Sequence, residues 1–476
     1  MADSVRIRFA ICIVLWMVMP GLVGATERMN VLLLAVDDLN TWLLGETNPY
    51  EGKVVAPNIR QFAARSVVFR HAYTASPYCS PSRTALLSGV SPWKSGVYDN
   101  GVNTNASESL NQATSLPLLF KAGGYFTASY GKIAHGWKTK GAWDDLLPHK
   151  RDPVPPTAPL SPAGSGEHDW GPTHLSESEM RDTIYADRAI AQLNRDHEKP
   201  FFIACGLFHP HMPWYVPQKY FDLFPLGDVV LPKRNANDLD DLPALASRVL
   251  TKRKVFERTV AAGEYKKAVR GYLATTAYAD AQVGRVLDAL DASRYRDNTL
   301  VVLISDHGFH LGEKDHWQKA TLWEEATHCL LMIRVPKNTA NGLSCNRFVS
   351  LQDLYPTLAE ICNLTKPPYV EGRTLSTLLH DPGADWESTA ISALYERFIT
   401  IRTDRFRYIR YAEGQEELYD MVEDPHQWEN LANRVEHSDN LNRHRALVPA
   451  ISSMAVPLAS KKRKGISLPS LRRSKP

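Results

Sequence analysis

Short, near-continuous apolar runs punctuate this chain, at residues 31–36, 126–130, 201–208, 300–305 and 330–335, and longer amphipathic stretches separate them. Helical spacing covers about 179–194 and 264–290, and a further helix-like stretch follows residue 79. Strands that are apolar throughout are buried on both faces. Their alternation with helices therefore predicts an α/β fold: a mostly parallel sheet sandwiched by helices. Past about residue 379 the pattern shortens to alternating runs at 399–401 and 407–411, which predicts a smaller antiparallel α+β subdomain. Two Pro-rich or irregular stretches, 153–172 and 225–251, read as surface loops. No internal repeat is present. The expected division is a main domain over 26–379, a C-terminal subdomain over 380–457 and a basic tail over 458–476.

The start of the chain carries a different signal. Arg6 and Arg8 precede an apolar run at 9–19, then Pro20 and the small residues Val23-Gly24-Ala25. The run is shorter than the roughly 20 residues that span a bilayer, so 1–25 reads as a signal peptide cleaved after Ala25. An uncleaved anchor is the lesser reading. A secreted or periplasmic protein without stable membrane insertion is expected.

The formal net charge of the 476 residues is only +3, and Lys461, Lys462, Arg463, Lys464, Arg472, Arg473 and Lys475 crowd the tail. The body is thus near neutral, no nucleic-acid partner is expected, and the tail reads as a solvated terminus. Without Cys12 of the leader, five cysteines remain: Cys79, Cys205, Cys329, Cys345 and Cys362. Cys205 and Cys329 sit in apolar runs as small hydrophobes, Cys345 and Cys362 are open to pairing, and Cys79 stands in a polar, Pro-rich segment.

In open α/β sheets ligands gather beyond the carboxyl ends of the strands. The first run ends in Asp37-Asp38 and the run at 300–305 ends in Asp306-His307, so two strands deliver carboxylates to one edge. The sharpest local pattern is Cys79-Ser80-Pro81-Ser82-Arg83, closing in Leu86-Leu87-Ser88-Gly89. In order along the chain stand Val36-Asp37-Asp38, Gly131-Lys132-Ile133-Ala134-His135, Pro210-His211-Met212-Pro213, Ser305-Asp306-His307-Gly308, Leu311-Gly312-Glu313 and Trp317-Gln318-Lys319. Together these resemble the formylglycine-dependent sulfatases over nearly all of the mature chain, with iduronate-2-sulfatase-like polysaccharide sulfatases the nearest subgroup.

The resemblance implies an alkaline-phosphatase-like fold and hydrolysis of sulfate esters, with a sulfated carbohydrate as substrate and a 2-O-sulfated uronic acid as one option. It also implies a maturation enzyme that oxidises Cys79 to formylglycine. The chemistry is coherent. A sulfate ester repels an anionic nucleophile, so a divalent cation and fixed positive side chains are needed where water is excluded. Asp37, Asp38 and Asp306 are hard oxygen donors of the kind calcium prefers, and matured Cys79 and His307 complete the implied metal set. Hydrated formylglycine carries two hydroxyls: one attacks sulfur, and the other later loses its proton and expels sulfate.

By resemblance, Arg83 holds the nucleophile and metal ligands, and Lys132 and Lys319 clamp sulfate oxygens. His135 assists the second step, and His211 protonates the departing alcohol. His209 departs from the subgroup, which has lysine there, and this puts the substrate group in question. Residues 93–105, the loop 153–172, and Trp323 with Glu325 are candidates for the entrance. The rivals are a phosphonate or phosphate ester hydrolase of the same superfamily and a non-catalytic polysaccharide-binding relative. The second should have lost part of the charged set, and this chain has all of it.

Overall fold

The computed structural model describes residues 28–45, 50–137, 139, 141–250, 253–387, 389–450 and 454–459. The expected leader at 1–25 and most of the basic tail lie outside the described residues. No helix among the described residues is long and apolar enough to cross a membrane.

Nine strands form the central sheet among these residues: β1 (Asn30–Val36), β2 (Val67–Tyr73), β3 (Phe126–Gly131), β4 (Asp145–Pro148), β5 (Phe201–Leu207), β6 (Thr299–Ser305), β7 (His328–Cys329), β8 (Leu331–Arg334) and β9 (Ser344–Ser350). From β7 to β4 the order is β7-β2-β8-β6-β1-β5-β3-β4, with β9 also paired to β2. β1 lies between β5 and β6, parallel to both, and every residue of these three strands is buried. That is the environment their near-continuous apolar runs predict.

The two faces of the sheet separate by alternation. Leu32, Leu34 and Val36 pack into one core, whose largest cover is the helix α3 (Tyr265–Ala292). Val31, Leu33 and Ala35 point into the other, with Leu86 and Leu87 of α1 (Cys79–Ser88) and Leu354 and Leu358 of α4 (Leu354–Ile361). The predicted helix near 179–194 is α2 (Arg181–Leu193), on the α3 side. The sheet is mixed at one end, because β8 runs antiparallel to both β6 and β2.

Four antiparallel strands make the C-terminal sheet, in order β10 (Ala390–Leu394), β11 (Phe398–Arg402), β12 (Phe406–Arg410) and β13 (Glu416–Asp420). Its core shares Leu322 and Trp323 with the main domain. Cys205 and Cys329 are the buried hydrophobes expected of them, and Cys345 and Cys362 are both free thiols.

Candidate active site

Parallel pairing of Val36 with Ser305 brings the ends of β1 and β6 side by side, so Asp37-Asp38 and Asp306-His307 emerge together. Asp38 takes a left-handed backbone (φ 61°), rare for a residue with a Cβ and concentrated at functional sites. The Tyr272 hydroxyl of α3 fixes the turn, donating to the Asp38 carbonyl at 3.0 Å and accepting from the Asn40 N–H at 2.8 Å.

Cys79 is the first residue of α1, the helix expected after residue 79, and is 1% exposed, so it lies inside the protein at a helix start. All ten residues of α1 are buried, and Gly89 closes it in a left-handed C-cap. The Cys79 sulfur lies 3.3 Å from His307 Nε2 and 3.8 Å from Lys132 Nζ.

Arg83 sits one turn further along the same helix and joins the two acidic strand ends. Its Nη2 donates to Asp37 Oδ1 at 2.9 Å and its Nε to Asp306 Oδ2 at 2.8 Å, while Nη1 reaches the carbonyls of Lys132 and Ile133. Ser82 donates its hydroxyl to the Asp306 carbonyl at 2.5 Å.

Lys132 turns into the site just past β3 and donates to Asp37. The turn depends on two paired glycines. A Cβ on Gly131 (φ 79°) would lie 2.1 Å from the Gly206 carbonyl oxygen, and one on Gly206 would lie 2.3 Å from the Lys132 carbonyl oxygen. Lys319 arrives from the opposite side and donates to Asp38, between Gln318 and Ala320, both at positive φ. His211 Nε2 lies 3.9 Å from Asp38 Oδ2, and its Nδ1 is bonded to the Met212 carbonyl at 2.6 Å, which leaves Nε2 facing the site. His135 lines the same cavity, and its backbone is tied to α1 by Ser80, whose hydroxyl donates to the His135 carbonyl at 2.9 Å.

The electrostatics are those of a crowded anionic nest. Burial opposes the Asp37 charge, but Lys132 and Arg83 outweigh it and hold the carboxyl well below its ordinary range. Burial, then Asp37 and Cys79, push Asp38 up to about 7 against the pull of Lys319. Burial also opposes thiolate formation at Cys79, yet Lys132, Lys319 and His307 bring that thiol well below its ordinary value. His307 is raised to about 9 by Asp306 and Cys79 in spite of burial. His211 is lowered by burial and then by Lys319 and Lys132.

Donor atoms of Asp37, Asp38, Cys79 and His307 all fall within 4.8 Å of one another, close enough to meet a single ion. Asp306 stands against this group with both oxygens engaged, Oδ1 accepting from the Asp38 N–H at 3.3 Å and Oδ2 from Arg83. With sulfur at position 79 the set is mixed in softness. An oxygen there would make it chiefly a hard-donor set suited to calcium or magnesium. The donors therefore fit a divalent cation.

The cavity above this floor measures about 490 Å³. Of the loops singled out from sequence, 93–105 contributes Asp99 and Asn100 and 153–172 contributes Glu167. Trp323 does not flank the entrance. It is fully buried, its indole N–H bonded to Glu417 under the C-terminal sheet, and Glu325 lines a separate cavity of about 300 Å³. His209 does not reach the substrate cavity either. It is 2% exposed and points inward to Asp182, 2.8 Å from Nδ1, so its departure from lysine alters the support of the His211 loop.

Sequence reasoning missed Tyr78, His149, Arg151, Phe208 and Tyr395, which also line the cavity. His149 and Arg151 follow the short, half-exposed β4, and Tyr395 sits on the tip of the β10–β11 hairpin. Neither position carries a local signal of its own.

A buried cysteine at a helix start, set against a cluster of acidic and histidine donors that could hold a divalent cation and against two lysines at the carboxyl edge of a mostly parallel sheet, is an arrangement that suits an ester hydrolase of alkaline-phosphatase-like fold. Residues 29–364 match the sulfatase family and residues 312–448 match the family described as N-sulphoglucosamine sulphohydrolase, C-terminal. The chain belongs to the sulfatase family and is a sulfuric ester hydrolase.

A sulfatase of Formosa agariphila is 33% identical over 443 residues, covering 89% of this chain and 87% of that protein. Human iduronate 2-sulfatase is 29% identical over 398 residues, covering 72% and 71%. Among solved structures, the phosphonate monoester hydrolase of Agrobacterium radiobacter shares the fold with a TM-score of 0.76 at 21% identity, covering 90% of this chain and 96% of that one. Sulfatases generally use formylglycine and a divalent metal.

Proposed function

We propose that this protein removes O-sulfate groups from a sulfated sugar or polysaccharide, with Cys79 matured to formylglycine and calcium held by Asp37, Asp38, His307 and the matured residue, with Asp306 beside them. The observation that carries this reading is the seat of Cys79: buried, at the amino end of α1, with its sulfur beside His307 and Lys132. Here the sulfur stands in for the oxygens of the hydrated aldehyde. When bound, the cation would neutralise sulfate oxygens and lower the energy of the oxygen nucleophile.

The remaining work falls to the chain's own side chains. Arg83 orients the nucleophile, favours the ionised form of Asp37 and offsets part of the burial that raises Asp306. Lys132 and Lys319, both almost wholly buried, neutralise the sulfate oxygens where charge builds up. His211 delivers a proton from Nε2 to the departing sugar oxygen, and His135, which lines the same cavity, takes a proton from the nucleophile position in the second half of the reaction. The relatives named for sulfated carbohydrates support the choice of substrate class, and a 2-O-sulfated uronic acid is one member of it. A leader at 1–25 would carry the enzyme to a secreted or periplasmic setting.

Three results test the reading. Turnover of a chromogenic aryl sulfate should exceed that of the matching aryl phosphonate, and a preference for phosphonate by orders of magnitude would make the chain a phosphonate hydrolase. His211→Ala should slow a sugar sulfate roughly 10²–10⁴-fold and an aryl sulfate far less, because a phenolate leaves without a proton. Equal losses on both would remove His211 from the acid role. Chelation should abolish turnover and lower the unfolding temperature, with calcium restoring both, since an ion that binds only the folded state stabilises it. An unfolding temperature indifferent to chelator and calcium would rule out the metal.

A further inference from the structure

Phe208 stands at the junction of the catalytic floor and the cavity wall, and four polar side chains surround its buried ring. Lys132 Nζ lies 5.2 Å from the ring centre and the Arg151 guanidinium carbon 5.6 Å from it. The ring of His211 stacks on it at 4.6 Å and that of His149 at 4.9 Å. The sum of the two cation distances is thus the most that can separate Arg151 from the lysine assigned to the scissile sulfate. One or two sugar rings bridge such a span. The spacing is set by a packed aromatic ring and not by loop conformation alone.

Arg151 lines the cavity yet plays no part in the chemistry above. Its Nη1 donates to Glu167 Oε1 at 2.6 Å, and among the described residues no bond engages Nη2 or Nε. The pair is open to solvent, with the side chains 49% and 55% exposed. An exposed ion pair of this kind contributes little and exchanges partners readily. A guanidinium offers a planar fork that a carboxylate or sulfate meets with two parallel hydrogen bonds, stronger than a single contact to one carboxylate oxygen. Of the lysine and arginine side chains that line the cavity among the described residues, Arg151 is the most exposed, at 49% against 6% for Lys132 and 8% for Lys319.

We infer that Arg151 is a second anion subsite: it takes a carboxylate or further sulfate carried beside the scissile ester, and Glu167 yields its place to that group. The substrate class is then an acidic sugar with at least two negative groups. This deepens the sulfatase reading and rests on it.

The test compares kcat/KM for three substrates: a sulfated uronic-acid oligosaccharide, a neutral sugar with one sulfate, and a chromogenic aryl sulfate. The wild-type enzyme should favour the acidic substrate over the neutral one. In Arg151→Gln that preference should fall at least tenfold, chiefly through KM, with Arg151→Lys restoring part of it and Glu167→Gln raising it. A wild type that favours the neutral sugar, or an Arg151→Gln enzyme with its preference unchanged, overturns the subsite. Failure of the wild type to cleave the aryl sulfate would strike the sulfatase reading instead, so the two failures are distinct.

Discussion

Cys79→Ala should fold normally and lose turnover of every sulfate ester by a factor on the order of 10⁴ or more, the scale seen when a nucleophile is removed. The fold survives because the substitution removes one buried sulfur from a helix start whose ten residues remain packed, with its Gly89 cap intact. The rate does not survive, because Lys132, Lys319 and the acidic nest then face no atom able to attack. Circular dichroism and a thermal melt beside an aryl sulfate assay make the comparison. A folded Cys79→Ala protein with near-wild-type rates would remove position 79 from the chemistry.

The second large effect is on stability. Arg83 is 3% exposed and donates to both Asp37 and Asp306, and the burial of those two carboxylates is tolerated through it. Arg83→Met leaves them without that partner, and breaking a buried ion pair in this way costs about 3–5 kcal/mol. The melting temperature should fall sharply, and bound calcium should recover part of the loss. Adding Asp37→Asn should cost less in the Arg83→Met background than in wild type, because the charge it removes is no longer compensated. Additive effects, or an unchanged melt for Arg83→Met, would mean that the network carries no such energy.

Much of this architecture is legible in the sequence because its strongest signals are local. β1, β5 and β6 are wholly buried and almost wholly apolar, so burial on both faces dictates their composition, and the acidic pairs that follow β1 and β6 mark the site edge directly. β2 is harder to find, since Arg70 and His71 interrupt its burial pattern. The direction of β8 is not encoded in its own apolar run at all, because an antiparallel strand buried between two neighbours has the same composition as a parallel one.

The site divides in the same way. Residues inside short motifs, Cys79 with Arg83 and Gly131 with Lys132, are close in sequence to what they touch. His209 was misleading because its partner Asp182 lies 27 residues earlier on α2, and the pairing exists only once α2 packs on the sheet. Trp323 reads as an exposed aromatic until the C-terminal sheet covers it and Glu417 takes its N–H. Arg151 and Tyr395 enter the cavity through a loop and a hairpin tip, whose positions are set by tertiary packing.

The central claim is that the sulfur at position 79 is replaced by an aldehyde oxygen against the cation nest, and the most direct measurement is the mass of the tryptic peptide spanning residues 71–83. Protein produced alongside a formylglycine-generating enzyme should yield this peptide lighter by the difference between a thiol and an aldehyde, and the shifted fraction should track specific activity. An intact thiol throughout a preparation that hydrolyses sulfate esters at full rate would contradict the account.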